Sequence, residues 1–259
     1  MHSTNYILGF TLAMTTLVAL ALSGLFYATQ SKAKQNEAVF NKRAVLKAVS
    51  TYLDKDVDDM SDEEVINIFE EQVKQYVLNM EGEEVEAQVV VDAGHKGGRA
   101  EDIDMAKEKK KPEADRLLPL FVFNSPKGDR LHIVSIRGNG LWDEIWGNVA
   151  ISHEGTKQAM VVGATFDHKA ETPGLGAEIK DNPSFPAQFK NKQLYKDGEF
   201  KSVVVRKGGA KDKSYEVDGI SGATVTSDGV TEMLYRGIKY YEPFFEKLGD
   251  ASSKPLGAR

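Results

Sequence analysis

Residues 120–166 carry four apolar runs in close succession: LFVF at 120–123, LHIVSIRG at 131–138, NVAIS at 148–152 and AMVVGATF at 159–166. Each is rich in Val, Ile and Phe, side chains that pack well on a pleated surface, so each reads as a β-strand. A fifth run, SVVVR at 202–206, reads the same way. Pro126-Lys127-Gly128 and His153-Glu154-Gly155 separate successive runs with hairpin-turn residues. Connections this short leave no room for repeated crossover helices. The sheet is therefore predicted to be mostly antiparallel, in an α+β domain with helices outside the sheet and the last helix at the carboxyl end.

Working outward, Val230, Met233, Leu234, Gly237, Ile238 and Tyr241 follow the i, i+3, i+4, i+7 spacing of a helix that buries one face. Thr226 or Ser227 is the expected N-cap, Asp228 places an anion in the first turn, and Pro243 is the expected stop. Upstream, Ser61-Asp62-Glu63-Glu64 has capping-box spacing. Val65, Ile66, Phe69, Val73, Tyr76 and Val77 behind it fall on one helical face, and VEAQVVV at 85–91 reads as a strand. From Asp92 to Glu113 the composition turns to Gly, Lys, Asp and Glu. Its KEKKKPE run at 107–113 could be a basic contact patch, but the acidic residues mixed through it favour a solvated surface loop.

At the amino terminus, the 23 residues Tyr6–Ala28 hold no formal charge. As a helix they span roughly 34 Å, against a hydrocarbon core of about 30 Å. A cleaved signal peptide fits worse, because residues 1–5 hold no Lys or Arg and no clear A-x-A site follows. Residues 1–35 are thus read as a single-pass anchor, 36–84 as a stalk and amphipathic-helix region, and 85–259 as the main domain. Lys32, Lys34, Lys42 and Arg43 follow the anchor, and the positive-inside rule alone would leave the domain in the cytoplasm.

Composition excludes several classes. With 41% apolar and 28% charged residues the chain is neither disordered nor a multi-span membrane protein. Thirty-three basic against 39 acidic residues give a net charge of −6, unlike a general nucleic-acid binder. Cysteine is absent, which removes disulfides, thiolate metal sites and cysteine nucleophiles.

The sequence shows no H-E-x-x-H spacing, G-x-S-x-G elbow, Walker A motif or dinucleotide fingerprint. His168 and Glu171, three apart, read as a surface contact rather than a metal site, and Lys207-Gly208-Gly209 reads as a turn. No catalytic residue and no metal-ligand set is identified. Three glycine-marked segments remain. Gly138-Asn139-Gly140-Leu141-Trp142 ends a strand beside a broad ring. Glu171-Thr172-Pro173-Gly174-Leu175-Gly176 fits a type II turn that would turn one apolar side chain outward. Asp218-Gly219-Ile220-Ser221-Gly222-Ala223-Thr224-Val225-Thr226-Ser227 runs into a helix N-terminus, where free amides and the dipole favour an anion. Taken singly, each is also compatible with a core Trp, a surface turn or an ordinary N-cap.

Together, these residues resemble the FMN-binding domain family. The D-G-I-S-G-A-T stretch at 218–224 is similar to that family's flavinylation motif, and E-T-P-G-L-G at 171–176 to its second motif, which lines the isoalloxazine ring. With G-N-G-L-W at 138–142 and K-G-G-A at 207–210, the resemblance is strongest to the branch that serves in a sodium-pumping NADH:quinone oxidoreductase. It covers the anchor and most of residues 115–245, with 92–116 fitting poorly, as an inserted loop would. The resemblance implies that Thr224 carries FMN through a phosphoester. It implies that Asp218, Gly219, Ser221, Gly222 and Ala223 are read by a flavin transferase or pack the phosphate. Leu141, Trp142, Thr172, Leu175 and Gly176 would border the ring, Glu171 and Lys207 would be polar neighbours, and Val225 and Thr226 would touch the flavin. It further implies an electron relay working with the A, B, D, E and F subunits of such a complex, and passing electrons to the flavin of its B subunit. The domain would lie on the outer face of a bacterial inner membrane, against the flanking charges. The alternatives are the related subunit of an Rnf-type ferredoxin:NAD oxidoreductase, and a membrane-anchored binding protein without cofactor.

Overall fold

The computed structural model describes residues 3–153 and 158–249. It divides into two compact units, Met1–Lys42 and Arg43–Arg259. Helix α1 (Thr4–Lys47) contains an exposed stretch long and apolar enough to cross a membrane, with a mean hydropathy of 1.9.

After it come α2 (Asp62–Gln72), β1 (Val73–Leu78), α3 (Ala87–Asp92), α4 (Met105–Glu108), β2 (Leu118–Asn124), β3 (Arg130–Asn139), β4 (Glu144–His153) and β5 (Ala159–His168). The remaining elements are α5 (Glu178–Asp181), α6 (Ser184–Ala187), β6 (Lys192–Gln193), β7 (Tyr195–Lys196), β8 (Glu199–Phe200), β9 (Val204–Arg206), β10 (Glu216–Asp218), α7 (Thr224–Lys239) and α8 (Glu242–Leu248). Six strands form one antiparallel sheet in the order β1-β2-β3-β4-β5-β6. The α+β class and the antiparallel sheet follow the sequence-based expectation. The Pro126-Lys127-Gly128 turn is present, with the Gly128 N–H donating to the Ser125 carbonyl at 3.0 Å. The turn expected at His153-Glu154-Gly155 lies largely outside the described residues.

Three local expectations are corrected. The capping box forms at Ser61 and Glu64, but its helix stops at Gln72. Val73, Tyr76 and Val77 belong to β1, which pairs with β2 from Val73 opposite Phe123 to Leu78 opposite Leu118. Cross-strand pairing overrides a periodicity that residues 65–77 share with a helix. The 85–91 run is no strand: α3 takes most of it, burying Val90 while Val89 and Val91 stay exposed. β1 already occupies the sheet position beside β2. Finally, only Val204–Arg206 of the 202–206 run is strand, and it pairs in parallel with β10 outside the main sheet.

The core lies between the sheet and α7. Val134, Ile136, Val149 and Ile151 of the sheet meet Val230, Met233, Leu234 and Ile238 of α7, all buried. Each such side chain contributes about 1.5–3 kcal/mol by leaving water. The fully buried Tyr241 satisfies its hydroxyl by donating to the Pro119 and Ser135 carbonyls at 2.8 and 3.2 Å. Pro243 does not end α7, which stops at Lys239; it sits in the first turn of α8.

Residues 92–113 are more than a solvated loop. His95 and Glu108 are buried, with His95 Nε2 2.6 Å from Glu108 Oε1. Glu108 Oε2 accepts the Leu117 N–H at 2.8 Å, and Lys111 pairs with Oε1 at 2.7 Å. This lysine and these hydrogen bonds hold the Glu108 carboxyl below its ordinary pKa against the opposing cost of burial.

A candidate flavin site at the α7 N-terminus

α7 begins at Thr224, two residues before the expected cap. Its N-cap is Ala223, which has no side-chain oxygen to offer the helix amides. Thr226 and Ser227 are instead buried in the first turn. Their hydroxyls look away from capping: Thr226 Oγ1 donates to Glu171 Oε2 at 2.5 Å, and Ser227 Oγ accepts the Ile220 N–H at 3.3 Å. The helix therefore presents a first turn without a side-chain cap, with half-buried Thr224 as its leading residue. An anion attached there would meet the free amides and the positive end of the dipole.

The three glycine-marked segments converge on Glu171. It is 4% exposed, and its second oxygen accepts the Trp142 backbone N–H at 2.9 Å. One carboxylate thus joins the β3–β4 turn, the 171–176 turn and α7. Two glycines leave room for it. A Cβ on Gly140 would lie 2.5 Å from Glu171 Oε1, and one on Gly176 would come within 2.6 Å of Thr226 Oγ1. The type II turn forms as expected, with Leu175 N–H donating to the Thr172 carbonyl at 3.1 Å and Gly174 at φ +74°. Across the gap, Trp142 Nε1 donates to Thr172 Oγ1 at 3.1 Å.

The segments that Glu171 brings together carry exposed apolar side chains. Leu141, Trp142, Leu175 and Val225 are 51, 68, 41 and 52% exposed in a domain whose other large apolar side chains are mostly buried. Leu175 packs over Gly222, where a Cβ would lie 2.7 Å from its Cδ2. A wall of this kind beside an anion site suits a ligand with a flat apolar body and a phosphate end. FMN has both, so the residues fit the group.

A second cluster supports the loop leading into α7. Asp218 is exposed, and its Oδ1 accepts the Ala210 N–H at 2.7 Å, fixing the Lys207–Ala210 turn. Lys207 is exposed within that turn. Gly219 N–H donates to the Arg206 carbonyl at 2.9 Å. Glu216 takes Arg206 Nε at 3.1 Å and Nη2 at 2.5 Å, with the Asp212 and Lys211 amides on its other oxygen. These donors hold its carboxyl down to about 2. Sequence reasoning missed Gln188, whose Oε1 accepts the Asp218 N–H at 2.8 Å from 30 residues away. No local pattern marks it. The His168–Glu171 pair is not the surface contact expected of it: Glu171 is buried, and it is its backbone N–H that donates to His168 Nδ1 at 3.2 Å. No metal-binding cluster occurs among the described residues.

The model of the FMN-binding domain matches residues 140–239, the span from the β3–β4 turn to the end of α7. The crystal structure of the Na(+)-translocating NADH-quinone reductase C subunit from Parabacteroides distasonis superposes with a TM-score of 0.68 at 34% identity, covering 87% of this chain and 98% of that one. This chain belongs to the C-subunit family of Na(+)-translocating NADH-quinone reductases. The family member from Neisseria meningitidis serogroup A is 29% identical over 96% of this chain and 94% of its own length. The one from Vibrio anguillarum is 41% identical, but the match spans about half of each chain, 50% of this one and 51% of the relative.

Proposed function

We propose that this chain is an electron-relay subunit of a Na(+)-translocating NADH-quinone reductase and carries FMN esterified through its phosphate to Thr224. The observation that carries this reading is the helix start itself. Thr224 leads an α7 whose N-cap has no capping side chain, and Leu141, Trp142, Leu175 and Val225 are exposed on the segments that meet at its first turn. Ester formation joins Thr224 Oγ to the FMN phosphorus with net loss of one water, and a flavin transferase is the partner for that step. The phosphate would sit on the first-turn amides, with Ser221, Gly222 and Ala223 folded beside it. Trp142, Thr172, Leu175 and Gly176 would border the ring, while Val225 and Thr226 follow the attachment point. Asp218 and Gly219 shape the entry loop, and Lys207 stands at its rim.

Bound FMN supplies the electron-transfer chemistry, and the chain supplies position, solvent exclusion and electrostatics. A covalent tether suits a relay because the cofactor has no reason to leave between turnovers. The complex is then the enzyme, a translocase, with the A, B, D, E and F subunits as partners and the flavin of the B subunit as the electron acceptor. The uncharged stretch Tyr6–Ala28, within residues 1–35, anchors the chain in a bacterial inner membrane, with the flavin domain on the periplasmic side.

The test uses the full chain co-expressed with the rest of the complex. NADH should bleach the absorbance of a flavin that stays on this polypeptide in a denaturing gel. A colourless band at this mass, with the complex otherwise assembled, would contradict the reading.

A further inference from the structure

Glu171 lies 4% exposed among residues assigned to the flavin, yet each oxygen is engaged by the protein itself, one by the Trp142 N–H and the other by Thr226 Oγ1. One partner is a backbone N–H and the other a hydroxyl. Two chain segments approach it closely: Cβ atoms at 140 and 176 would overlap the carboxylate oxygens and push the carboxylate from its place. A buried carboxylate is weak evidence for stability, since an apolar replacement of similar volume is often neutral or better. What the charge provides here is geometry. It ties the turn that bears Leu141 and Trp142 to the first turn of α7, two residues beyond Thr224.

We propose that Glu171 is a positioning residue for the flavin relay. It clasps the ring-bearing turn against the phosphate-bearing helix, acting through Trp142 and Thr226 rather than as a flavin ligand, and its charge lowers the flavin's midpoint potential. This rests on the assignment of FMN to Thr224. The physical chain is short. A fixed anion beside the ring site disfavours the electron-rich reduced form. It is held there by two charge-assisted hydrogen bonds, which define direction better than neutral ones.

Glu171→Gln separates charge from shape. The amide oxygen can still accept the Trp142 N–H, and the amide nitrogen can donate to Thr226 Oγ1 once that hydroxyl turns. Glu171→Ala removes both arms, and Thr226→Val removes one while leaving the helix intact. The full chain is made twice for each variant. Without a flavin transferase, hydrogen exchange is followed in the peptide covering 138–146. With one, the flavinylated fraction is read by intact mass and the midpoint potential by spectroelectrochemical titration.

Glu171→Gln should keep wild-type exchange and occupancy while its potential moves upward. Glu171→Ala and Thr226→Val should exchange faster around Trp142 and lose flavinylated fraction several-fold. An unchanged potential in Glu171→Gln overturns the proposal. So does wild-type exchange in Thr226→Val, a variant that decides the matter even if Glu171→Ala does not fold. Absence of flavin from the wild-type chain would count against the Thr224 assignment instead, and the exchange data would still decide whether the clasp exists.

Discussion

Lys109 Nζ lies 2.5 Å from Asn139 Oδ1, bridging 30 residues between the 92–116 segment and the end of β3. The same ammonium reaches Glu144 Oε1 at 3.4 Å at the start of β4. The turn between those strands carries Leu141 and Trp142, so the segment braces from behind one wall of the proposed flavin site. Lys109 is itself held, its carbonyl accepting Arg116 Nη2 at 3.1 Å. A cavity of about 290 Å³ separates this brace from α7. Lys109→Met should cost only about 0.5–1 kcal/mol, because the ammonium is partly exposed. It should nevertheless accelerate hydrogen exchange in residues 138–144. Equal exchange in the two proteins would leave the segment with no part in the site.

Gly176 and Gly174 make a matched pair for testing the site's packing. A Cβ at 176 meets Glu171 and Thr226, whereas one at 174 meets nothing within 4 Å. Gly176→Ala should lose about 1–3 kcal/mol through overpacking, and flavin content should fall with it. Gly174→Ala should lose about 1–2 kcal/mol from the left-handed backbone alone and keep its flavin. Urea denaturation and mass spectrometry distinguish the two outcomes.

Strands β2 to β5 are readable from the sequence because their β-branched runs are bounded by turn residues and pair with sequence neighbours. β1 is not, since what makes Val73–Leu78 a strand is Leu118–Phe123, a partner some 40 residues on. The three site segments are visible through their glycines, and Thr224 through its motif. Their junction is hidden, because nothing in the local sequence says that Glu171 is buried or that Thr226, placed to cap α7, instead points at it. Gln188 and Lys109 are equally silent for the same reason: their contacts are made across the fold.

Trp142 tests the apolar wall apart from the fold. At 68% exposure it adds little to the core, and Trp142→Ala should leave the stability of the flavin-free chain within about 0.5 kcal/mol. The attached flavin should then move more freely, read as lower fluorescence anisotropy. Unchanged anisotropy would remove Trp142 from the ring site.

Glu216 gives the entry loop a pH dependence of known sign. Its folded pKa of about 2 lies below the ordinary 4.5, chiefly through Arg206 and then the Asp212 and Lys211 amides. Its contribution is therefore complete above pH 4.5 and is lost as the pH falls towards 2. Glu216→Gln should melt below the wild type at pH 7, and the gap should close across that acid window. A gap that stays constant with pH would contradict the assignment.

The most direct test of the account is the intact mass of the chain co-expressed with a flavin transferase, wild type beside Thr224→Val. The substitution replaces a hydroxyl by a methyl at the start of α7, where Val is tolerated, so both proteins should fold. The wild type should gain the mass of FMN less one water and the variant should gain nothing. An equal gain in Thr224→Val, or none in the wild type while the transferase modifies a control substrate, would contradict the claim that Thr224 carries the flavin.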